Sequence, residues 1–402
     1  MVRSSCQQQP TCIMIKVQDS GSKTRAMRVP PKIAIETRDS CHCFTMALRS
    51  LPRRLDLRSD TVTRPSAAML QTVLKAATGD DVFQEDPTVH CLQETVAALC
   101  GHERGLFVPS GTMGNLIAGM VHSQYAGQVV IGAQSHMALW EAGNLANLGG
   151  VHARVLPEDP ETGQFDWDDL CDAVACDDSD DHVAPTRAVC LENTHNMLGG
   201  IPLSLDYVQR VHRLAQDHSV SVHIDGARLW NAALTEERLR RYCESASSVT
   251  LCLSKGLGAP IGSVLVGDAE FIRLAKRARK RLGGGMRQVG VMAAMGLYAI
   301  EHNWAKLGDD HRRARTLYTE LEQHGFRVAR KPDTNMFFFQ LPEDSAVSKD
   351  EFGERLKQDH GVLLTGGYSK GGNLFRVVTH IDLNDEDIER AGQAMIQLCR
   401  GV

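Results

Sequence analysis

Lys255 stands in the run Leu253-Ser254-Lys255-Gly256-Leu257-Gly258-Ala259-Pro260, thirty residues beyond Asp225, which closes the apolar-rich stretch Val220-Ser221-Val222-His223-Ile224-Asp225. A lysine among small residues and a strand-end carboxylate are the pair that pyridoxal phosphate chemistry requires. The amine holds the cofactor as a Schiff base, and the carboxylate keeps its pyridine nitrogen protonated so that the ring can accept electrons. A lysine with glycine at +1 and +3, flanked by apolar segments, is poorly placed as a solvated surface residue.

Other polar residues fall where such a cofactor and its substrate would need them. Pro109-Ser110-Gly111-Thr112-Met113-Gly114-Asn115 puts Gly111 and Thr112 at a strand-to-helix turn, where free backbone N–H groups and the helix dipole hold a phosphate. The same Ser-Gly-Thr also serves as an ordinary N-cap. His136, a few residues past a strand, can stack on a flat ring. His195, in Glu192-Asn193-Thr194-His195-Asn196, follows the apolar strand Ala188 to Leu191. Five polar residues at a buried strand end need partners, and a ligand pocket supplies them. Arg228 follows Asp225 by three residues; the pair reads either as cofactor and substrate contacts or as a helix cap beside a surface ion pair. Arg376, set among Leu374, Phe375, Val377 and Val378, suits a bidentate clamp on a substrate carboxylate. Gly283-Gly284-Gly285-Met286-Arg287-Gln288 is either a flexible link or, ahead of a helix, a backbone nest for an anion.

The scaffold for these groups is legible as alternation. Strands are expected at Gly105 to Val108, Val129 to Ile131, Val151 to Val155, Ala188 to Leu191, Val220 to Ile224, Val249 to Leu253 and Gly262 to Val266. Helices are expected at Ser66 to Ala77, about Glu94 to Leu99, Gly111 to Met120 and Tyr207 to Asp217. A basic helix, Ala269 to Leu282, and a long buried one, Met286 to Glu301, follow. Continuous apolar strands alternating with helices imply a mainly parallel α/β sheet covered on both faces. Ligands of such sheets sit beyond the strand ends, where the polar residues above fall. The tail changes character: helix His311 to His324, strand Met336 to Gln340, helix Lys349 to Asp359, strand Phe375 to Thr379 and helix Asp385 to Cys399 read as a compact α+β unit. We therefore expect an N-terminal extension over 1–54, an arm and large domain over 55–305, and a small C-terminal domain over 306–402.

Composition bounds the rest. With 402 residues, 43% hydrophobic and 23% charged, the chain reads as an ordinary globular protein, and a net charge of −5 gives no electrostatic reason for a nucleic-acid partner. Residues 1–50 hold eight of the 44 basic residues but only three of the 49 acidic ones, and no apolar stretch long enough for a signal peptide or membrane span. This leader reads as a mitochondrial transit peptide, a disordered extension, or sequence upstream of a start at Met46. The twelve cysteines include no zinc-type pair of CxxC motifs, the one close pair being Cys41-His42-Cys43, so no metal site is expected. Reduced thiols in apolar runs point to an intracellular, cytoplasmic setting, with the mitochondrion as the alternative if the leader targets it.

From Leu55 to the C-terminus the chain resembles low-specificity L-threonine aldolases, pyridoxal phosphate enzymes of the aspartate-aminotransferase-like fold. The resemblance is carried by Leu55 to Thr63, Gly79 to Phe83, Glu85 to Thr88, Phe107 to Asn115, Leu191 to Asn196, His223 to Arg228, Ser254 to Ser263 and Gly283 to Gln288. It implies a mainly parallel, seven-stranded-type large domain with a smaller C-terminal α+β domain. It also implies that Lys255 binds pyridoxal 5'-phosphate covalently, Asp225 pairs with its ring nitrogen, Gly111 and Thr112 hold its phosphate, and His136 stacks on the ring. Arg287 would reach the phosphate from a neighbouring subunit, in a homotetramer built from dimers. Ser59, Arg228 and Arg376 would hold the substrate carboxylate, with His195 near its hydroxyl. Trp140 stands where family members carry Phe or Tyr, which leaves the threonine against allo-threonine preference open.

The activity so implied is a retro-aldol cleavage of L-threonine or L-allo-threonine to glycine and acetaldehyde, through an external aldimine and a quinonoid. The base for the hydroxyl proton is His136, His195 or a water they orient. Two alternatives stand beside it: a same-fold enzyme performing serine hydroxymethyl transfer or β-elimination, and a catalytically silent relative acting as a binding protein.

Overall fold

A computed structural model of the chain describes residues 54–123, 127–175, 179–328, 330–368 and 373–401. The leader, with Cys41-His42-Cys43 and Met46, lies outside the described residues. The strands are β1 (Leu55–Asp56), β2 (Arg104–Val108), β3 (Gln128–Gly132), β4 (His152–Leu156), β5 (Thr186–Glu192), β6 (Ser221–Gly226), β7 (Ser248–Cys252), β8 (Ser263–Gly267), β9 (Arg327–Val328), β10 (Met336–Gln340), β11 (Val362–Leu363) and β12 (Phe375–Val378). The helices are α1 (Ala67–Val73), α2 (Pro87–Cys100), α3 (Gly111–Ser123), α4 (His136–Leu139), α5 (Asn144–Asn147), α6 (Trp167–Val174), α7 (Leu205–Asp217), α8 (Leu229–Ala232), α9 (Glu236–Cys243), α10 (Ala269–Arg281), α11 (Gly290–Asn303), α12 (Leu307–Gln323), α13 (Lys349–His360) and α14 (Asp385–Arg400).

Seven strands form the central sheet in the order β2-β8-β7-β6-β5-β3-β4. All neighbours run parallel except β8, which is antiparallel to both β2 and β7. The expected α/β class and mainly parallel sheet are thus what the chain adopts. Apolar residues alternate across it. Val130, Val189, Leu191, Val222, Ile224, Val249, Leu251, Val264 and Val266 belong to one large core with residues of α2, α7, α9 and α11. Leu106, Val108 and Leu265, with Val129, Ile131, Ala188 and Cys190, face the side of α3 and α10. Both faces are buried, which is why these strands read as continuous apolar runs.

The remaining strands form two smaller sheets, β12-β10-β9 and the pair β1-β11. A second core surrounds them, with Phe337, Phe339, Phe352 and Phe375 packed beside α12 and α14. The arm does not stay with the large sheet that follows it in sequence. Leu55 and Leu57, at most 1% exposed, belong to this second core, and β1 pairs in parallel with β11. Alternate leucines on a short extended arm bury best where a strand edge is open.

Three helices start well away from their expected positions, the one placed at about Glu94 already beginning at Pro87 behind the Asp86 cap. The one placed at Met286 begins at Gly290, because Val289 N–H turns back to Arg287 O and Gly290 N–H is taken by Asp86 Oδ2. The one placed at His311 begins at Leu307, directly after a 3₁₀ turn at Trp304–Lys306. Among the described residues no helix is long and apolar enough to cross a membrane.

Candidate active site

The C-terminal ends of the parallel strands bring the chemistry-bearing residues together. Glu192 ends β5 and pairs in register with Asp225 near the end of β6. After β7 the chain turns at Lys255, whose carbonyl accepts from Gly258 N–H at 2.8 Å and Thr63 Oγ1 at 3.1 Å. Gly258 has φ +78°, a conformation in which a side chain would be strained. A cleft of about 330 Å³ opens above these strand ends. Ser59, Thr61, His136, Trp140, Glu192, Asn196, Ala227, Arg228, Lys255, Tyr368 and Arg376 line it. Of the residues singled out from sequence, Lys255, His136, Ser59, Trp140, Arg228 and Arg376 therefore share one cavity.

One wall is built from two guanidinium groups. Arg228 donates Nε and Nη2 to the two carboxylate oxygens of Asp60, at 2.9 and 2.7 Å, with both residues buried. Burial works to raise the Asp60 pKa, but the charge and hydrogen bonds of Arg228, helped by the Lys255 charge, hold it below the ordinary value. Arg376 donates Nη1 to Asn196 Oδ1 at 2.9 Å and Nη2 to Arg58 O at 2.9 Å, and stacks on Tyr368 at 4.9 Å. Asn196 Oδ1 also accepts from Arg228 Nη1 at 3.3 Å. The two arginines thus differ. Arg228 is neutralised by Asp60, whereas Arg376, 7% exposed, has no carboxylate partner among the described residues and leaves a buried Nε unbonded. A buried cation without an anion is costly, and an incoming carboxylate relieves that cost.

The histidines separate in the same way. His136 opens α4, its backbone N–H bonded to Glu192 and its Nδ1 lying 2.9 Å from Glu141 Oε1. Burial lowers its pKa, yet the hydrogen bond to Glu141 and the charges of Asp225 and Glu141 raise it above the ordinary value, against the opposing Lys255. His195 is 1% exposed and is absent from the cleft lining; its Nε2 lies 2.8 Å from Glu158 Oε1. Burial again pulls down and the Glu158 hydrogen bond and Glu192 charge push up, leaving the His195 pKa raised. Glu192 is buried, which raises its pKa, and it accepts backbone N–H groups from both His136 and Asn196.

The residues fit a phosphorylated pyridine cofactor. Asp225 Oδ1 accepts from Ala227 N–H at 3.1 Å, while Oδ2 is buried with no partner. A carboxylate oxygen left bare at a strand end is the acceptor a protonated ring nitrogen needs. One ligand atom each from His136, Glu141 and Asp225 lie within 4.8 Å of one another, so the histidine sits close to the Asp225 carboxylate. The trio has the donor types of a cation site, but a His136 Nδ1 that donates to Glu141 has no lone pair to give a metal. Gly111 and Thr112 head α3, whose first N–H groups have no partner within the helix. Ser263 Oγ, buried and unbonded, lies 3.7 Å from where a Cβ on Gly111 would stand. Arg287 is outside the cleft; its guanidinium, 59% exposed, pairs with Asp80 at 2.9 Å.

A family model described as beta-eliminating lyase matches residues 56–344. The chain is 42% identical over 340 residues to low-specificity L-threonine aldolase 1 of Arabidopsis thaliana, covering 84% of this chain and 94% of that one. It is 39% identical over 338 residues to low specificity L-threonine aldolase of Escherichia coli strain K12, covering 83% and 96%. The chain belongs to the beta-eliminating lyase family, among its low-specificity L-threonine aldolases. A solved structure described as Leishmania major threonine aldolase superposes with a TM-score of 0.73 over 86% of this chain and 99% of that one, at 18% identity, so the fold is shared as well.

Several site residues were not singled out from sequence. Asp60, Glu192 and Asn196 lie inside the blocks that carry the family resemblance, next to Ser59 and His195. Glu141, Glu158 and Tyr368 carry no local signal. Glu158 reaches His195 across 37 residues and Tyr368 meets Arg376 only through the small sheet, so folding alone brings them in.

Proposed function

We propose that the chain is a pyridoxal 5'-phosphate-dependent carbon–carbon lyase that cleaves L-threonine and L-allo-threonine to glycine and acetaldehyde. The observation that carries this reading is Lys255 and the uncompensated Arg376 lining one cleft, with the Asp225 carboxylate and its bare Oδ2 buried behind His136 of that lining. Lys255 would hold the cofactor covalently, Asp225 its ring nitrogen, Gly111 and Thr112 its phosphate, and His136 one face of its ring. Bound there, the cofactor supplies an electron sink for the pair released when Cα–Cβ breaks.

Arg376 takes the substrate carboxylate, with Ser59 beside it, and Arg228 stiffens the wall through Asp60 and Asn196. Fixing that carboxylate sets which bond at Cα is held for cleavage. His136, carrying its proton on Nδ1 toward Glu141, leaves Nε2 to receive the hydroxyl proton directly or through a water. His195, enclosed and tied to Glu158, acts as a positioning residue for Glu192 and Asn196 rather than at the reacting atoms. Trp140, 54% exposed on the cleft rim, bounds the space for the β-substituent.

We propose further that the working unit is a homo-oligomer, a homotetramer built from two dimers in the family pattern. The exposed Leu70, Leu74 and Phe83, the last in the turn that also holds Arg287, support a surface covered by another copy. Residues 55–305 and 306–402 serve as its large and small domains, with the arm threaded into the small one. Seven described cysteines are free, which fits a reducing compartment.

The test is an assay of acetaldehyde and glycine from L-threonine, L-allo-threonine and L-serine with added pyridoxal phosphate. Equimolar acetaldehyde and glycine from the first two are expected. Lys255→Ala is expected to lower turnover by at least about 10³-fold and to abolish the Schiff-base absorbance. A protein that stays colourless with the cofactor and releases no acetaldehyde refutes the reading.

A further inference from the structure

Strands β6 and β7 break the apolar pattern of the sheet on one face only. Val222 and Ile224 of β6, and Val249 and Leu251 of β7, point into the large core. Their alternate residues, His223 and Asp225 on β6 and Ser248 and Thr250 on β7, take the opposite side, that of α3. On strands β3 and β5 that same side carries Val129, Ile131, Ala188 and Cys190, until Glu192 ends β5 beside Asp225. A polar spine therefore runs along β6 and β7, and His223 and Ser248 of it join one continuous series of hydrogen bonds.

Glu141, in the turn after α4, is 3% exposed. Its Oε1 accepts from Asn115 Nδ2 at 3.0 Å and lies 2.9 Å from His136 Nδ1; its Oε2 accepts from Asn144 Nδ2 at 3.3 Å. Because Asn115 gives its amide N–H₂ to Glu141, its Oδ1 must accept, and it does so from His223 Nε2 at 3.3 Å. His223 is wholly buried, which pushes its pKa down to about 3, so the ring is neutral with its single proton on Nε2. Its Nδ1 then accepts from Ser248 Oγ at 2.8 Å. Having given its proton, that hydroxyl accepts from His122 Nε2 at 2.7 Å. His122, on α3, stacks on Phe271 of α10 at 4.6 Å, and burial lowers its pKa to about 4. Each donor assignment forces the next, and every dipole points toward Glu141.

We propose that Glu141 is a positioning residue for His136: held in place by the donor series His122, Ser248, His223 and Asn115, it fixes the His136 proton on Nδ1 and makes Nε2 the basic nitrogen offered to the cleft. Three charged groups facing His136 act on its charge. Glu141 and Asp225 favour the protonated ring, Lys255 opposes it, and Glu192 binds the His136 backbone N–H. Asp225 and Lys255 are engaged once a cofactor is bound, which leaves Glu141 as the constant term. A carboxylate placed this way orients an imidazole and raises its basicity, and the donors behind it satisfy its buried oxygens and fix its position.

The inference rests on the assignment of His136 to the cofactor face, so its test is read in the full chain freed of cofactor, by chemical modification rather than turnover. Diethyl pyrocarbonate acylates only unprotonated imidazole, and the His136 peptide reports its extent by mass. In the wild-type protein the pH of half-maximal His136 acylation is expected above that of a free imidazole. Glu141→Gln should lower that midpoint by about one pH unit or more, a tenfold loss of proton affinity. Glu141→Asp, which keeps the charge, should recover part of it, and Asn115→Ala should shift it in the same direction as Gln. Nitrogen NMR of histidine-labelled wild-type protein, which needs no variant to fold, should find the neutral His136 protonated on Nδ1. An unshifted midpoint in Glu141→Gln or Asn115→Ala, or a proton on Nε2, overturns the proposal. Absent aldolase activity with these shifts intact would instead count against the proposed function alone.

Discussion

Two arginines reach the same asparagine oxygen, yet among the described residues only one has a counter-ion. Asp60 meets Arg228 with two parallel hydrogen bonds in a fully enclosed setting, so each charge is tolerated only because the other is present. Removing the acid leaves a guanidinium buried and unpaired. Asp60→Ala is therefore expected to destabilise the protein by about 3–5 kcal/mol, read as a shift of the denaturant midpoint at pH 7.5. An exposed pair such as Arg273–Glu270 has the same geometry in solvent, and its loss should cost no more than about 1 kcal/mol. A value near that lower figure for Asp60 would mean that water reaches Arg228, and the distinction drawn between it and Arg376 would fail. The asymmetry matters for chemistry because the cleft keeps one strong anion receptor rather than two.

At the scale of elements, the sheet is held in place by helix ends. Asp86 caps α2, accepting from Thr88 and Val89 N–H groups at 3.1 Å each, and its other oxygen accepts from Gly79 N–H at 3.2 Å and Gly290 N–H at 2.8 Å. One carboxylate thus ties the start of α2 to the start of α11, two of the helices that cover one face of the sheet. Position 290 has to be glycine, since a Cβ would stand 2.3 Å from Asp86 Oδ1. Asp86→Ala should cost about 2–4 kcal/mol, the loss of a cap plus a buried N–H left bare, and urea unfolding measures it. Such elements were legible in part. Strands such as Ala188 to Leu191 announce themselves because both sheet faces are covered, whereas α2 is read only from about Glu94 although Asp86 and Pro87 signal its cap and first turn. The α9 helix, Glu236–Cys243, is too short for its buried Leu239, Tyr242 and Cys243 to establish a period against five charged neighbours. The β1–β11 pairing joins two-residue strands some three hundred positions apart, and no local pattern encodes that. The site divides likewise. Lys255, Asp225 and Arg376 betray themselves by unusual neighbours, whereas Asp60 becomes meaningful only when folding brings it to Arg228, 168 residues away.

Across the whole molecule, the two hydrophobic cores meet at a polar layer. His311, near the start of α12, lies 3.0 Å by Nε2 from Asn231 Oδ1 of α8, while Thr379 Oγ1 donates to Asp310 O at 2.6 Å and Asn335 reaches Asp60. Two groups in that layer titrate in opposite senses. Burial, with the Arg315 charge, lowers the His311 pKa to about 4, and burial, only partly offset by Arg313, raises that of Asp310 to about 7. For His311 the unfolded chain binds the proton more tightly, so its contribution is complete above pH about 6.5 and is lost as pH falls toward 4. For Asp310 the folded chain binds the proton more tightly, so its contribution is complete below pH about 3.8 and is lost as pH rises through about 7. Between pH 4 and 6.5 the two slopes nearly cancel. His311→Gln keeps an amide donor for Asn231 and removes one of the slopes. Relative to wild type, and taking the difference at pH 7.5 as zero, the variant should gain about 2 kcal/mol at pH 5, one proton over one and a half pH units. Denaturant unfolding at both pH values, at one protein concentration, decides it. Equal midpoint shifts at pH 5 and 7.5 would show that His311 already titrates at its solution value, and that water enters the layer between the cores.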